Sequence, residues 1–312
     1  MKPDRNGQTP LARPLSRFEV RPLEAIHFAA LLILCGVTLL LYRRLPDPGE
    51  LLLRYALMGL FLALMIVLAR RYERLPAALQ VAVDFYPTAF VPFVFESLGP
   101  LIPAARGTPR DVLLIAWDRA LFGVDPTVWL ERWVHPFWTD FFFIAYTTYY
   151  FLPLVLGGLL WERNTPEARR FIFALSFCFY VSYAGYFTIP ALGPRYALAQ
   201  EQTIPILTTP VSRAIAEAIN EVEHTKLDVF PSGHTMIAVA VLIYAYRRAR
   251  RAFWVMLPVV VCLLISTVYC RYHYVVDVLA GLVLAFLAVP VADRLYRRLG
   301  GEDSGPSPSS RS

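Results

Sequence analysis

The chain alternates between long apolar runs and short stretches rich in arginine and proline. Each run approaches or reaches the roughly 20 residues that an α-helix needs to cross a bilayer. The pattern predicts eight membrane spans, at residues 24–42, 51–69, 79–102, 137–160, 168–189, 233–249, 252–270 and 275–293. Asp84, Pro87, Pro92 and Glu96 interrupt the third run, so this segment is expected either to cross the bilayer or to re-enter it. The predicted fold class is an all-α bundle of transmembrane helices.

Two further segments have the pattern of amphipathic helices that lie along a membrane surface. In residues 110–122 the apolar positions repeat at helical spacing, and Asp111, Asp118 and Arg119 are expected on the polar side. In residues 211–222 the same spacing is kept by Val211, Ile215, Ile219 and Val222. This second helix either covers a site as a lid or merely packs on the bundle.

Composition and charge agree with a membrane protein and indicate its orientation. Hydrophobic residues make up 57% of the 312 residues and the mean hydropathy is positive, which exceeds the usual apolar content of soluble domains. The net charge of +6 comes largely from arginines clustered beside apolar runs, a pattern typical of topology-setting loops rather than of a nucleic-acid interface. These clusters fall on one side of the predicted bundle together with the N-terminal tail. Both termini are therefore expected to be cytoplasmic, in a plasma or inner membrane.

Two polar clusters stand at the ends of predicted spans on the opposite face. FPSGH, residues 230–234, precedes a long apolar run, and its proline and serine are typical of a helix start whose N–H groups attract an anion. STVYCRYHYVVD, residues 266–277, places His273 and Asp277 four residues apart. Within a helix the carboxylate would then hold the imidazole in one tautomer. An imidazole held in this way can act as a nucleophile or transfer protons.

The pairing of PSGH with HxxxD resembles the type 2 phosphatidic acid phosphatase (PAP2) superfamily, whose members transfer phosphoryl groups without a metal through a phosphohistidine. The resemblance implies a six-helix catalytic core in which His273 is the nucleophile, Asp277 orients it, and His234 protonates the leaving oxygen. It also implies that Ser232 and the backbone of Gly233 cradle the phosphate. No cofactor is implied, and the expected partners are membrane lipids.

The basic motifs of that family are incomplete in this chain. Arg195 supplies the arginine of the first motif, whereas Thr188 stands where its lysine is expected. Thr267 stands where the second motif has an arginine, and Arg271 is the nearest available substitute. The resemblance therefore implies phosphate binding by Arg195, with Arg271 as a second candidate.

The segments HYVVDVLAG and WDRALFGVDPTVWL are more similar to the inositol phosphorylceramide synthase branch, which moves a phosphorylated head group to a lipid hydroxyl. This similarity implies an inositolphosphotransferase of sphingolipid metabolism. Hydrolysis of phosphatidic acid or polyprenyl phosphate would use the same motif residues and stays open as an alternative. A transporter or scaffold that kept the helices without the activity is a further alternative.

Four regions are expected along the chain. Residues 1–22 form a basic tail and 299–312 a polar tail, both expected to be disordered. Residues 23–105 hold the N-terminal transmembrane helices, and 106–298 hold the PAP2-like catalytic membrane domain. The first apolar run lacks a small-residue cleavage site and is expected to be retained as an anchor. The oligomeric state is left open.

Several conspicuous residues have a structural interpretation. Asp84 is expected to be a paired carboxylate inside the bundle, with a functional role as the alternative. Asp118 and Arg119 are expected either to pair with each other or to contact a head group. The remaining histidines are expected at surfaces or interfaces, and the cysteines as free apolar residues, at His27, His135, His224, Cys35, Cys178, Cys262 and Cys270.

Overall fold

The computed structural model describes residues 20–222 and 225–301, and every regular element in these ranges is helical. The two predicted tails up to residue 19 and from residue 302, as well as His224, lie outside the described residues. The N-terminal elements are α1 Pro22–Leu40, α2 Pro48–Ala69, α3 Ala77–Phe85, α4 Pro87–Glu96 and α5 Leu98–Arg106. Short 3-10 turns follow α1 and α2, at Tyr42–Arg44 and Tyr72–Arg74.

The second part of the chain contains long helices joined by loops that carry short ones. The first of these elements are α6 Asp111–Phe122, α7 Pro126–Trp129, a 3-10 turn at Leu130–Trp133, α8 Pro136–Arg163 and α9 Thr165–Thr188. The following elements are α10 Pro194–Ala197, α11 Pro210–Val222, α12 Gly233–Arg248, α13 Arg250–Tyr269 and α14 Val275–Arg298. The all-α fold class is therefore confirmed.

Seven segments of the described chain are long and apolar enough to cross a membrane. They are Pro22–Leu40, Pro48–Ala69, Ala77–Arg106, Pro136–Arg163, Thr165–Thr188, Arg250–Tyr269 and Val275–Arg298. The eighth predicted span corresponds to α12, whose 16 residues rise only about 24 Å, less than the roughly 30 Å of a hydrocarbon core. α12 packs against α8, α9, α13 and α14, so protein rather than lipid surrounds most of it. The protein is an integral membrane protein.

The third predicted span is a chain of three helices rather than one. Pro87 begins α4 directly after α3, and α5 follows from Leu98. Asp84 at the end of α3 is buried and accepts hydrogen bonds from Arg21 at 3.2 Å and Arg169 at 2.8 Å. The Tyr72 hydroxyl and the Trp161 indole also donate to it, at 2.6 and 3.0 Å. The expectation of a paired structural carboxylate is confirmed.

Helix α6 is present as predicted, but the orientation expected for its acidic residues is wrong. Its apolar positions Val112 and Leu121 are 81% and 61% exposed, whereas Asp111 and Asp118 are buried. Arg119 does not pair with Asp118; its guanidinium donates to Asp125 at 2.8 Å. The cause is that the carboxylates accept hydrogen bonds from backbone N–H groups of the protein, which leaves the apolar side chains on the exposed side of the helix.

Helix α11 packs against α8, and its buried side chains Ala216 and Ile219 join a cluster that includes Phe143, Tyr146 and Tyr272. This agrees with the interpretation that α11 packs on the bundle. Its further role as a lid stays a prediction.

Candidate active site

The start of α12 is built from the FPSGH segment, as the sequence predicts. Ser232 is the N-cap: its hydroxyl accepts the Thr235 backbone N–H at 3.3 Å and the Thr235 hydroxyl at 3.1 Å. The Ser232 backbone N–H donates to the Asp277 carbonyl oxygen at 3.1 Å. The Ser232 hydroxyl therefore caps α12, and the Ser232 N–H joins the start of α12 to the first turn of α14.

Two glycines allow close approaches of other helices to the start of α12. A Cβ atom at Gly281 of α14 would lie 2.5 Å from the Ser232 carbonyl oxygen, well inside van der Waals contact. A Cβ atom at Gly233 would lie 2.7 Å from the hydroxyl of Tyr186 on α9. Gly281 thus lets the two polar motifs lie close to each other, whereas Gly233 lets α9 approach the start of α12.

The second motif lies in the tight turn between α13 and α14. The backbone N–H groups of Tyr272 and His273 both donate to the Thr267 carbonyl oxygen at 3.0 Å. Arg271 adopts a left-handed conformation with a φ of 65°, which is uncommon for a residue other than glycine. The turn brings the buried His273 side chain back toward the start of α12.

His273, Asp277 and His234 form a connected group. The His273 Nδ1 lies 3.2 Å from Asp277 Oδ1, and its Nε2 lies 3.2 Å from His234 Nδ1. The Asp277 Oδ2 accepts the Tyr274 backbone N–H at 3.0 Å. Because α14 begins only at Val275, His273 lies before the helix and reaches Asp277 across its first turn. One imidazole nitrogen of His273 thus faces a carboxylate and the other faces a second imidazole.

Aromatic rings hold the His234 imidazole. Its centroid lies 4.7 Å from the Tyr146 ring and 4.2 Å from the Tyr149 ring, both on α8. Tyr146 in turn stacks on Tyr272 at 4.7 Å, next to His273 in the chain. The rings restrict the imidazole laterally, while His234 stays partly accessible and His273 is buried.

Helix α6 braces the turn that carries His273. The Asp118 carboxylate accepts the backbone N–H groups of Val275 and Val276 at 3.0 and 2.8 Å. Asp111 accepts the Tyr274 hydroxyl and the Gly193 backbone N–H, both at 2.8 Å. Burial raises the pKa of the Asp118 carboxyl above its usual value, and the two N–H groups act in the opposite direction. The two carboxylates therefore fix the backbone on both sides of the site.

A family model described as the PAP2 superfamily matches residues 112–291, more than half of the chain. The chain belongs to the PAP2 superfamily. A relative from Bacteroides thetaiotaomicron named phosphoinositol dihydroceramide synthase is 29% identical over 279 residues, covering 78% of this chain and 91% of the relative. No solved structure matches the chain. The protein is a PAP2-type enzyme that modifies lipids in a bilayer, so the transporter or scaffold alternative is not supported.

The two arginines that the PAP2 resemblance implies for phosphate binding lie together, beside the histidines. The Arg195 backbone N–H donates to the Arg271 carbonyl oxygen at 3.0 Å, and its guanidinium lies 4.5 Å from the centroid of the Tyr272 ring. The Arg271 guanidinium donates to Glu131 at 2.8 Å and to the Ile204 carbonyl oxygen at 2.7 Å. Burial lowers the pKa of Arg271, and the Glu131 carboxylate opposes that effect. Phosphate binding by either arginine stays a prediction.

The threonines that replace the family's basic residues bond within their own helices. Thr188 donates to the Gly185 carbonyl oxygen at 2.6 Å, and Thr267 donates to the Leu264 carbonyl oxygen at 2.7 Å. Neither hydroxyl therefore substitutes for the missing positive charge. In this PAP2 enzyme the basic side chains near the site come instead from Arg195 and Arg271.

His27, His135 and the four cysteines lie outside the group of His234, His273 and Asp277. His27 is fully buried, with its Nδ1 2.5 Å from the Tyr180 hydroxyl, so the expectation of a surface position for it is wrong. The reason is that α1 packs against α9 instead of standing apart. His135 is exposed, as expected, and its Nδ1 accepts the Phe137 backbone N–H at 3.3 Å. The four cysteines are free, as predicted.

Two cavities of different character lie near this region: His234 lines the first, and Tyr272, the neighbour of His273 in the chain, lines the second. An apolar cavity of about 240 Å³ between α4, α8 and α9 reaches Gly233 and His234 at its inner end. The second cavity, of about 390 Å³, is lined by Arg195 and Arg271 and by Ala216 and Asn220 of α11.

Sequence reasoning assigned no role near the site to four carboxylates. Asp228 and Glu96 line the apolar cavity, Glu131 holds Arg271, and Asp111 holds the Gly193 turn. Asp228 could have been noticed, because it lies only six residues before His234 in the chain. The other three come from distant segments, for which the sequence offers no spacing signal.

Proposed function

We propose that the protein transfers the phosphorylated head group of a phosphodiester lipid to the hydroxyl of a ceramide-type lipid, through a phosphohistidine on His273. The observation that carries the proposal is the line of groups Asp277, His273 and His234, with 3.2 Å at each step. The name of the Bacteroides relative, phosphoinositol dihydroceramide synthase, supports an inositol phosphate head group and a dihydroceramide acceptor.

In the first half-reaction the Nε2 of His273 attacks phosphorus and the bond from phosphorus to the leaving lipid alcohol breaks. Asp277 faces Nδ1 and keeps the proton there, which leaves the lone pair on Nε2. His234 gives its proton to the departing oxygen. Since the two imidazole nitrogens are only 3.2 Å apart, the His234 ring must move aside to admit a phosphoryl group between them.

In the second half-reaction the acceptor hydroxyl attacks the phosphohistidine. His234 takes the hydroxyl proton, the phosphorus–nitrogen bond breaks, and His273 returns to its neutral state. The phosphodiester that leaves carries the head group on the acceptor lipid. Water in place of the acceptor would give hydrolysis with the same residues, so the occupant of the acceptor position decides the reaction.

Charge that develops on the phosphoryl oxygens is stabilised by positioned donors and cations. The first N–H groups of a helix have no carbonyl partner within it, and α12 begins at Gly233 beside the histidines. Arg195, Arg271 and Tyr272 all line the second cavity, of about 390 Å³. We assign the phosphate to the α12 start and the head group to this arginine-lined cavity.

The decisive test supplies purified enzyme with phosphatidylinositol and dihydroceramide and follows the products by mass spectrometry. Wild-type enzyme is expected to form the phosphoinositol dihydroceramide, and His273→Ala is expected to abolish it. His135→Ala serves as the matched control, because His135 is an exposed histidine outside the site. Release of free phosphate from phosphatidic acid by wild type, without any transfer product, would replace this proposal with a phosphatase.

The phosphohistidine itself is tested by trapping. Enzyme incubated with donor alone and quenched at high pH is expected to carry an acid-labile mass increment on the peptide that contains His273. The increment is expected to disappear on addition of dihydroceramide. A transfer product formed at full rate by His273→Ala would rule the intermediate out.

We also propose that the site faces away from the cytoplasm. The polar motifs lie at one end of α12, α13 and α14, whereas Arg247, Arg250 and Arg298 lie at the other end. Arginine-rich ends are retained on the cytoplasmic side. In intact cells, a membrane-impermeant thiol reagent is expected to label Glu201→Cys and to spare Glu73→Cys. The reverse labelling would invert the orientation.

A further inference from the structure

The apolar cavity beside His234 has a mouth that faces the membrane. Thr88, Pro92 and Leu154 line the cavity and are exposed, and they belong to α4 and α8, whose segments are among those able to span a bilayer. The exposed outer surface of such helices contacts lipid tails. A lipid chain can therefore enter the cavity sideways, without leaving the bilayer.

The inner end of the cavity reaches His234 rather than the nucleophile. Gly233 and His234 are among its lining residues, and His273 is not. His234 is partly accessible, whereas His273 is buried, with 4% of its surface exposed. The group presented to an occupant of this cavity is therefore the imidazole that exchanges protons with the leaving and attacking oxygens.

The charged residues of the two cavities differ in sign. The apolar cavity contains the carboxylates of Glu96 and Asp228, whereas the other cavity contains Arg195 and also Arg271, whose charge the Glu131 carboxylate offsets. An anionic phosphodiester is repelled by carboxylates and attracted by guanidinium groups. A neutral hydroxyl is not repelled, and a carboxylate can accept its hydrogen bond. The anionic head group thus fits the second cavity and a neutral lipid fits the first.

We propose that the apolar cavity between α4, α8 and α9 binds the acceptor, a neutral long-chain lipid alcohol whose hydroxyl lies at His234. The inference rests on the proposed function and adds a place for the acceptor. During transfer the acceptor oxygen forms its bond to phosphorus and its proton passes to His234. The phosphohistidine bond breaks at the same time, so no further reactant is needed.

One wall of this cavity lies outside the part of the chain that matches the family model. Pro87, Val91 and Phe95 of α4 line it, while the match begins at residue 112. The N-terminal helices therefore contribute directly to the site, and the acceptor specificity of this enzyme depends on them. This assigns a function to a segment whose role the motifs alone do not reveal.

The binding test uses the full chain in nanodiscs and a dihydroceramide that carries a diazirine in its acyl chain. After irradiation, adducts are expected on peptides from α4 and α8, and excess unlabelled dihydroceramide is expected to remove them. Thr88→Trp fills the mouth and is expected to reduce these adducts at least about fivefold. Ala89→Trp is the matched control, because Ala89 is exposed on the same helix and does not line the cavity.

The kinetic test separates acceptor from donor. Thr88→Trp is expected to raise the KM for dihydroceramide about tenfold, and to raise the KM for phosphatidylinositol by a smaller factor, because the head group of the donor binds in the arginine-lined cavity. Leu154→Trp, with Val155→Trp as its control, repeats the comparison on α8 if Thr88→Trp fails to fold.

The outcomes distinguish this inference from the proposed function. Transfer that proceeds equally in Thr88→Trp and Ala89→Trp would overturn the acceptor cavity and leave the transferase intact. Labelling of the cavity by a diazirine-bearing phosphatidylinositol, but not by the dihydroceramide, would assign it to the donor and overturn the inference. Competed dihydroceramide labelling without any transfer by wild type would support the binding site and refute the proposed reaction.

Discussion

Two buried aspartates on the same helix have opposite surroundings. Asp293 of α14 accepts from Arg170 at 2.8 Å, from Arg247 at 3.0 Å and from the Tyr244 hydroxyl at 2.5 Å. Asp277, sixteen residues earlier, faces the His273 imidazole and the Tyr274 backbone N–H. The two carboxylates are about 24 Å apart along the helix.

We interpret the difference as a separation of structural anchoring from the proposed chemistry. A buried carboxylate with two guanidinium partners is compensated in charge, and it ties the ends of α9, α12 and α14 together. Among the described residues, no guanidinium is a hydrogen-bond partner of Asp277, and its main neighbour is an imidazole, which changes its charge easily. We therefore expect the same substitution at these positions to affect activity in one case and stability in the other.

The largest expected effect is that of Asp277→Asn on turnover. Because an amide can donate as well as accept, it no longer selects the His273 tautomer with its lone pair on Nε2. We expect kcat to fall about 100-fold to 10,000-fold, with little change in the KM for either lipid. Transfer kinetics in detergent, with the folded fraction measured by size-exclusion chromatography, checks this. A KM effect with unchanged kcat would mean that Asp277 binds substrate instead.

Asp293→Asn is the matched control and is expected to change stability. The substitution leaves the guanidinium of Arg170, which is mostly buried, without its charge partner. Breaking a buried pair from one side costs about 3 to 5 kcal/mol. A lower midpoint of thermal unfolding is therefore expected, with kcat per folded molecule close to that of wild type. A large kcat loss at an unchanged midpoint would remove the distinction between the two aspartates.

The sequence predicts the residues that meet around His273 because each lies in a short local pattern. Ser232 caps α12 as expected from its position before an apolar run, and the HxxxD spacing places Asp277 within reach of His273. The spacing succeeds even though His273 precedes α14, because the carboxylate on the first turn bends back toward the chain that enters it. A short motif therefore predicts hydrogen bonds between residues that are close together in the chain.

The supporting contacts could not be predicted, and α6 shows why. In a soluble protein the apolar stripe of an amphipathic helix faces the core, whereas here Val112 and Leu121 face outward and Asp118 faces the turn that carries His273. Asp118 and its partner Val275 are separated by 157 residues, so no spacing reveals their contact. The burial of His27 could not be predicted for the same reason, because it depends on the tertiary packing of α1 against α9.

Asp118→Asn is expected to have an intermediate effect and to test this brace. Each oxygen of the Asp118 carboxylate accepts one backbone N–H, from Val275 and from Val276. In asparagine one of these oxygens becomes an NH2 group, which donates and cannot accept a hydrogen bond from an N–H group. The His273 turn should loosen, so we expect kcat to fall about tenfold with the lipid KM values little changed. Asp125→Asn is the control, because Asp125 pairs only with the exposed Arg119 among the described contacts. Equal kcat values for the two variants would contradict a positioning role for α6.

The smallest expected effect comes from Ser232→Ala, and it separates two roles of the PSGH motif. The Ser232 hydroxyl caps α12 through Thr235 and its N–H binds the Asp277 carbonyl, so the phosphate would meet the helix start through later N–H groups. Loss of the cap should cost about 1 kcal/mol of stability, and Ser232→Asn, which can still cap, should restore it. Thermal unfolding and kcat are measured on both variants. If kcat instead falls in both while stability is restored in Ser232→Asn, the hydroxyl itself touches the phosphate, and the comparison between anchoring and chemistry extends to a single side chain.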